Sequence, residues 1–254
     1  MVFSGCGTLN AFYSFGDAYA LIASNNPAAV FGPNVTVPAI VMCHELTEKT
    51  VATFFNDLDL ADKVRSLFNT TTPEEDLVAG VASALVFELQ VLFHELGHAV
   101  DFLLLKDPND SIKLANFTIP SPNTCTTPLC DTVANDFADW ISAAVLVQVI
   151  QEKIKTDIDA AENFAKAWLI ALDAWQTIVG TGGGVAHGLT QARQVNMLCY
   201  AYGAIPELRQ ADVDVLGNQL QTAISGQGVD PAGCETIYKR NDTSTTTLLG
   251  SFIN

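Results

Sequence analysis

The chain carries little positive charge. Its 254 residues include 12 Lys and Arg against 28 Asp and Glu, which gives a formal net charge of −16. Basic clusters that could neutralise phosphates are missing, so nucleic acid and anionic membranes are not expected as partners. The acidic balance predicts solubility rather than a specific cationic partner.

The sequence also lacks an uninterrupted apolar run of membrane-spanning length. Its longest apolar stretch, residues 79–105, is interrupted by Glu88, Gln90 and several further polar residues, so we expect no membrane span. The first six residues contain neither the basic nor the apolar segment of a signal peptide. We expect that an exported protein would have had its signal removed.

Cysteine motifs for metal or redox chemistry are missing as well. Six cysteines, at positions 6, 43, 125, 130, 199 and 234, form no C-x-x-C pair, so disulfides are the favoured interpretation and fifteen pairings are possible. N-x-S/T sequons begin at Asn34, Asn69, Asn109, Asn116 and Asn241. Both features predict a secreted or periplasmic glycoprotein with disulfide bonds.

The apolar content is sufficient for a large core, because 49% of the residues are hydrophobic and 16% are charged. We predict an α+β fold, predominantly α, as a single domain over residues 1–254, with a small sheet in 1–48 and mainly helices in 49–254. The glycines at 182–184 precede no G-K-[ST] and indicate a mobile connector. The expected extended pieces are at 11–15, 18–23 and 37–42. Helices are expected at about 49–69, from a capping signal at 72–75 through residue 105, and at 131–154, 157–179, 190–204 and 206–224. A Thr-rich tail closes the chain.

The run His94-Glu95-Leu96-Gly97-His98 is the most informative motif. Its H-E-x-x-H spacing places two imidazoles on one helix face, within reach of one metal at about 2.0 to 2.1 Å, and Glu95 next to a metal-bound water. Satisfied core histidines are the alternative. The flanks describe a nearly all-apolar, buried helix, in which such polar residues are costly unless a metal or hydrogen bonds compensate. The sequence therefore predicts one Zn²⁺ ion here.

Four stretches together resemble, in order and spacing, a largely bacterial family of zincin-like metallopeptidases of unknown function. They cover nearly the full chain and are Cys6–Tyr13 (C-G-T-L-N-A-F-Y), Ala39–Leu46, Phe93–Ala99 and Gln191–Gly203 (with Q-x-N-x-L-C-x-x-Y-G). The resemblance implies a zincin-like fold, in which the small N-terminal sheet packs on the HExxH helix, and a secreted or periplasmic hydrolase. It suggests the disulfides Cys6–Cys43 and Cys199–Cys234, which leaves Cys125 and Cys130 as the remaining pair.

The resemblance also implies a third metal ligand in the segment Asn135-Asp136-Phe137-Ala138-Asp139. Asn135 stands at the place of the family's ligand and Asp139 at that of the acid that orients a metal-binding His. Because an amide is a poor zinc ligand, we predict Asp136 as the third ligand, with Asp139 as orienting residue or substitute ligand. Alternatively, these acids form only a solvated face and helix N-terminal charge.

These residues predict peptide hydrolysis by a metal-activated water with Glu95 as general base. His187, Tyr200 or Arg193 could assist as donor to the oxyanion, and we favour His187; Arg193 could instead tie helices together through a carboxylate.

The extended piece Ala39–Met42 could be the edge strand along which a peptide or protein substrate aligns. The run Cys43–Leu46 resembles the motif superficially, and we interpret it as a strand end beside the cleft. Two other functions remain open, a catalytically silent zincin-like module that binds peptide or protein, and a zinc hydrolase of a non-peptide amide or ester.

Overall fold

In a computed structural model of the chain, the structure describes residues 2–4, 11–14, 39–105, 119–121, 132–180, 189–205, 221–222 and 224–253. The described part is mostly helical, as predicted. The predicted piece at 18–23 and most of the predicted helix at 206–224 lie outside the described residues. The elements are β1 (Val2–Ser4), β2 (Ala11–Ser14), β3 (Ala39–Cys43), α1 (His44–Asn56), α2 (Leu58–Phe68), α3 (Pro73–Leu105), α4 (Thr132–Ile154), α5 (Ile158–Asp173), α6 (Trp175–Val179), α7 (Thr190–Ala204), a 3₁₀ turn (Pro231–Gly233) and α8 (Cys234–Ile253).

The three described strands form one sheet in the order β1-β3-β2. β1 pairs with β3 in parallel, with Val2 opposite Val41, and β2 pairs with β3 in antiparallel, with Ala11 opposite Met42. β2 and β3 contact α3, so the sheet lies against the motif helix. The expectation that the strand at 39–42 is an edge strand was wrong, because β3 has a partner on both sides.

The helix predicted near 49–69 is two helices, and the first begins earlier than expected. α1 starts at His44, directly after β3, so the interpretation of Cys43–Leu46 as a strand end was wrong beyond Cys43. Asp57 separates α1 from α2, and its side chain accepts a hydrogen bond from the Leu60 backbone N–H at 3.1 Å. This N-cap satisfies a free N–H group at the start of α2 and stabilises the break.

The capping signal before α3 is confirmed. Thr72 Oγ1 accepts from the Glu75 N–H at 3.3 Å, and Glu75 Oε2 accepts in return from the Thr72 N–H at 3.1 Å. By length and hydropathy alone, Pro73–Val100 could cross a membrane, although half of its most apolar window is buried in the protein. The prediction of a nearly all-buried helix was wrong at Leu85 and Leu96, which are 59% and 40% exposed.

A close crossing of α3 and α4 sets the geometry of the motif. A Cβ added at Gly97 would lie 2.7 Å from the Ala138 Cα, which is closer than real Cβ atoms approach. Glycine therefore allows the two backbones to meet at this point. The crossing brings the α4 residues around Ala138 next to the two motif histidines.

The C-terminal part differs from the prediction in two places. The helix expected over 157–179 is interrupted at Ala174, between α5 and α6. The expected Thr-rich tail is helix α8, which a disulfide between Cys199 and Cys234 links to α7. An added Cβ at Gly203 would lie 2.3 Å from the Cys234 carbonyl oxygen, so glycine is required for this contact. Cys43 is also disulfide-bonded, and its suggested partner Cys6, like Cys125 and Cys130, lies outside the described residues.

Candidate metal centre

The two motif histidines face each other one turn apart on α3. Their Nε2 atoms are 3.1 Å apart, and the rings are nearly perpendicular with centroids at 4.7 Å. His94 and Glu95 are each 3% exposed, and His98 is partly buried. One ligand atom from each of the three residues lies within 4.8 Å of the others, so this cluster could hold a metal ion.

Asp139 of α4 fixes the orientation of His94. Its Oδ1 atom lies 2.7 Å from His94 Nδ1, and both residues are almost fully buried. A carboxylate at this distance accepts a hydrogen bond from the Nδ1–H group. The proton then resides on Nδ1, so the lone pair of His94 is on Nε2, the atom that faces His98.

Arg193 of α7 completes this arrangement. Its Nε donates to Asp139 Oδ2 at 3.1 Å, and its Nη2 donates to Asp139 Oδ1 at 2.9 Å. The guanidinium carbon also lies 5.6 Å from the centroid of the Trp175 ring, within cation–π range. Residues from three helices, α3, α4 and α7, are therefore connected by one buried set of charged hydrogen bonds.

The charges in this set alter the pKa values of its members. Burial alone would raise the pKa of Asp139, but the charge of Arg193 and the contact with His94 outweigh burial and hold that pKa well below its usual range. Burial would lower the pKa of Arg193, but Asp139 raises it, with further contributions from Glu95 and Asp136. Arg193 and Asp139 thus form an ion pair inside the protein.

The spacing of the two histidine nitrogens fits a tetrahedral metal ion. Ligands at about 2.0 to 2.1 Å from such an ion are about 3.3 Å from each other. The 3.1 Å between the two Nε2 atoms is close to this value. Both histidines offer the same nitrogen, and the Asp139 contact supplies the partner that a metal-binding imidazole uses on its other nitrogen.

The structure does not bring the predicted third ligand into the histidine cluster. Asn135 and Asp136 are both 4% exposed on α4 and Asp139 is 1% exposed, so the alternative that these acids form a solvated face was wrong for Asp136 and Asp139. The cluster within 4.8 Å consists of His94, Glu95 and His98, without Asp136 or Asp139. Asp136 as third ligand remains a prediction.

The three candidate donors to the oxyanion differ in their surroundings. His187 lies outside the described residues. Arg193 donates to the Asp139 carboxylate, which agrees with the alternative that it ties helices together. Tyr200 is 1% exposed and bonds to Asn241. Burial raises the pKa of Tyr200 well above its usual value, and the nearby charges of Asp136 and Asp139 add to this. Asn241 is itself fully buried, so its sequon is not available for glycosylation in the folded protein.

Sequence reasoning missed a buried polar network behind the site. Gln90, one turn before His94, accepts from Trp168 Nε1 at 2.7 Å and donates to Ser142 Oγ. Ser142 Oγ in turn donates to the Asp139 carbonyl oxygen at 2.8 Å. The signal available in the sequence was a glutamine one helical turn before a metal-motif histidine in an apolar helix.

A separate groove of about 860 Å³ lies away from the histidines, among α2, α3 and α5. Apolar side chains line most of it, including Phe68, Val78, Leu85 and Phe164. It contains none of the candidate site residues, so we assign the chemistry to the histidine cluster.

Comparisons of the chain with protein-family models, with curated proteins and with solved structures find no match. The interpretation of the site therefore depends on its own residues and their geometry.

Proposed function

We propose that the protein is a zinc-dependent metallopeptidase with a zincin-like fold, secreted or periplasmic, that acts on a peptide or protein substrate. The observation that carries the proposal is the pair of His94 and His98 Nε2 atoms, 3.1 Å apart, on a helix that also presents the buried Glu95. Its support is the contact of 2.7 Å between Asp139 and His94 Nδ1, which is typical of an orienting acid behind a metal ligand.

His94 and His98 would hold the ion, with Asp136 as the third protein ligand. Asp139 is the less suitable alternative, because its two oxygens already accept hydrogen bonds from Arg193 and its Oδ1 lies on His94. When bound, zinc supplies Lewis-acid chemistry, since it lowers the pKa of water to about 7 and polarises a carbonyl group.

Glu95 performs the proton transfers. Its carboxylate takes a proton from the attacking water and delivers that proton to the leaving amine. Because Glu95 is 3% exposed, bulk water has little access to its carboxylate and competes little with it for this proton. His187 is the proposed donor to the developing oxyanion.

The test is Glu95→Gln, with Glu88→Gln as the matched control on the same helix. Both variants should retain one equivalent of zinc, because neither removes a ligand. Cleavage of a mixed peptide library should fall by a factor of about 10² to 10⁴ in Glu95→Gln and remain in Glu88→Gln. A chelator should abolish the cleavage by the unmodified protein. Cleavage that survives Glu95→Gln, or purified protein that binds no zinc, overturns the proposal.

A second candidate function is a catalytically silent module of the same fold that binds peptide or protein. The observation that favours it is Asn135, a buried amide at the place where the resemblance puts a carboxylate ligand. If the protein is such a module, peptides should bind without being cleaved. If it is a hydrolase of non-peptide substrates, small esters or amides alone should be cleaved, and a chelator should stop this cleavage.

A further inference from the structure

Arg193 makes more contacts to the site than an arginine that only joins two helices. Its Nη2 atom lies 3.3 Å from His94 Nδ1 and 3.4 Å from His94 Nε2, in addition to the two bonds with Asp139. We propose that Arg193 is a positioning residue that locks the Asp139 carboxylate in the orientation that directs His94 Nε2 toward the metal. This inference rests on the proposed function, from which it takes zinc as the metal.

The first step of the argument is the geometry of the carboxylate. A carboxylate with one partner can rotate about its bond to Cβ, whereas one held at both oxygens by a planar fork cannot. Arg193 bonds both oxygens of Asp139, through Nε and Nη2. Oδ1, the oxygen that His94 Nδ1 uses, is therefore fixed by Arg193 rather than by the histidine alone.

The second step is that Arg193 is itself held in place. Trp175 lies under its guanidinium, and the neighbouring Gln194 donates to the Leu172 carbonyl oxygen at 2.9 Å and accepts from Gln176 at 2.6 Å. These contacts fix this part of α7 against α5 and α6. The orientation of His94 therefore depends on helices that do not carry the motif.

The third step separates positioning from a role in contact with substrate. The Arg193 side chain is 9% exposed, and two of its nitrogens donate to Asp139. A lysine at this position would keep the charge but offer one compact donor in place of the fork. The proposal therefore predicts a defect from Arg193→Lys that charge alone does not explain.

The chain provides a matched control for this substitution. Arg65 also binds one aspartate through Nε and Nη2, both at 3.0 Å from Asp76 Oδ2, but this pair is on the surface. Its side chain is 51% exposed. Arg65→Lys thus makes the same chemical change to an Arg–Asp pair outside the site.

The first measurement is metal affinity, by competition with a chromophoric chelator, together with the visible spectrum of the Co²⁺-substituted protein. Arg193→Lys should weaken Zn²⁺ and Co²⁺ binding by about 10- to 100-fold and change the Co²⁺ spectrum, whereas Arg65→Lys should change neither. If Arg193 acts through Asp139, adding Arg193→Lys to Asp139→Asn should weaken binding little further. A folded Arg193→Lys variant with unchanged affinity and spectrum overturns the proposal, and so do additive effects in the double variant.

The second measurement needs neither a variant nor a metal. In metal-free protein labelled with ¹⁵N-histidine, which has only four histidines, NMR should find His94 with its proton on Nδ1. A proton on Nε2 overturns the positioning inference even if every Arg193 variant fails to fold. Loss of the proposed function appears differently, as cleavage that survives Glu95→Gln or as unmodified protein that binds no zinc.

Discussion

The two ends of α3 depart from hydropathy in different ways, because one exposes several apolar side chains and the other buries several polar ones. Near its N-terminal end, Val78 and Leu85 are 68% and 59% exposed, although both are apolar. From its middle toward its C-terminal end, Gln90 and His94 are 1% and 3% exposed, although both are polar. The neighbouring elements explain this difference, because around the motif α4 and α7 supply hydrogen-bond partners and contacts. Burial in this helix therefore follows the packing around each position rather than its hydropathy.

The largest effect should come from breaking the close crossing at the C-terminal end. Gly97→Ala places a Cβ 2.7 Å from the Ala138 Cα, so we expect a loss of about 3 kcal/mol in the free energy of unfolding. The matched control in the same helix is Gly80→Ala, whose Cβ would meet only the Phe54 carbonyl oxygen at 3.8 Å. This control should be neutral or stabilise by about 0.5 to 1 kcal/mol, because alanine favours helices. Equal stability of both variants in urea unfolding would remove the crossing from the explanation.

The next effect concerns the buried polar side chains. Gln90→Leu leaves Trp168 Nε1 without the acceptor that it has at 2.7 Å, and an unsatisfied buried donor costs about 2 kcal/mol. Gln148→Leu is the control, since Gln148 donates to the exposed Glu152 at 2.8 Å. It should change the unfolding free energy by less than about 0.5 kcal/mol. A neutral Gln90→Leu would mean that polarity at this end is not needed for stability.

Parts of the fold that depend on local sequence were predictable. The capping box at Thr72 and Glu75, the helix at 190–204 and the one-turn spacing of His94 and His98 follow from contacts between residues three or four apart. The suggested pairing of Cys199 with Cys234 came from the resemblance, and the disulfide is present in the structure.

Parts that depend on tertiary contacts were not predictable in this way. Strand β1 has three residues and exists only by pairing with β3, about forty residues later in the sequence. Helix α8 is tied to α7 by a disulfide and by the close contact at Gly203, and these tertiary contacts override its Thr-rich composition. The bond between Arg193 and Asp139 joins residues 54 positions apart, so its two sequence interpretations could be separated only by the helix packing.

A smaller effect depends on pH and concerns Glu88, which lies between the two ends. Burial raises the pKa of Glu88 above its ordinary value of 4.5, against the opposing contacts with Thr50 and Thr47. The stability gained from neutral Glu88 is therefore full below 4.5 and is lost as the pH rises through the raised pKa. Glu88→Gln should match the unmodified protein in acid and exceed its stability at pH 7 by about 0.5 kcal/mol, because partial exposure screens the charge. A stability difference that is constant with pH would contradict this expectation.

The smallest effect is expected at the exposed apolar end. Leu85→Lys replaces a side chain that is 59% exposed, so the free energy of unfolding should change by less than about 0.5 kcal/mol. The neighbouring Val86 is 3% exposed, and Val86→Lys should destabilise strongly because it buries an unpaired charge. Urea unfolding of both variants measures the contrast between adjacent positions. A loss of about 2 kcal/mol or more in Leu85→Lys would mean that this side chain is covered in solution, and the two ends of α3 would then no longer differ.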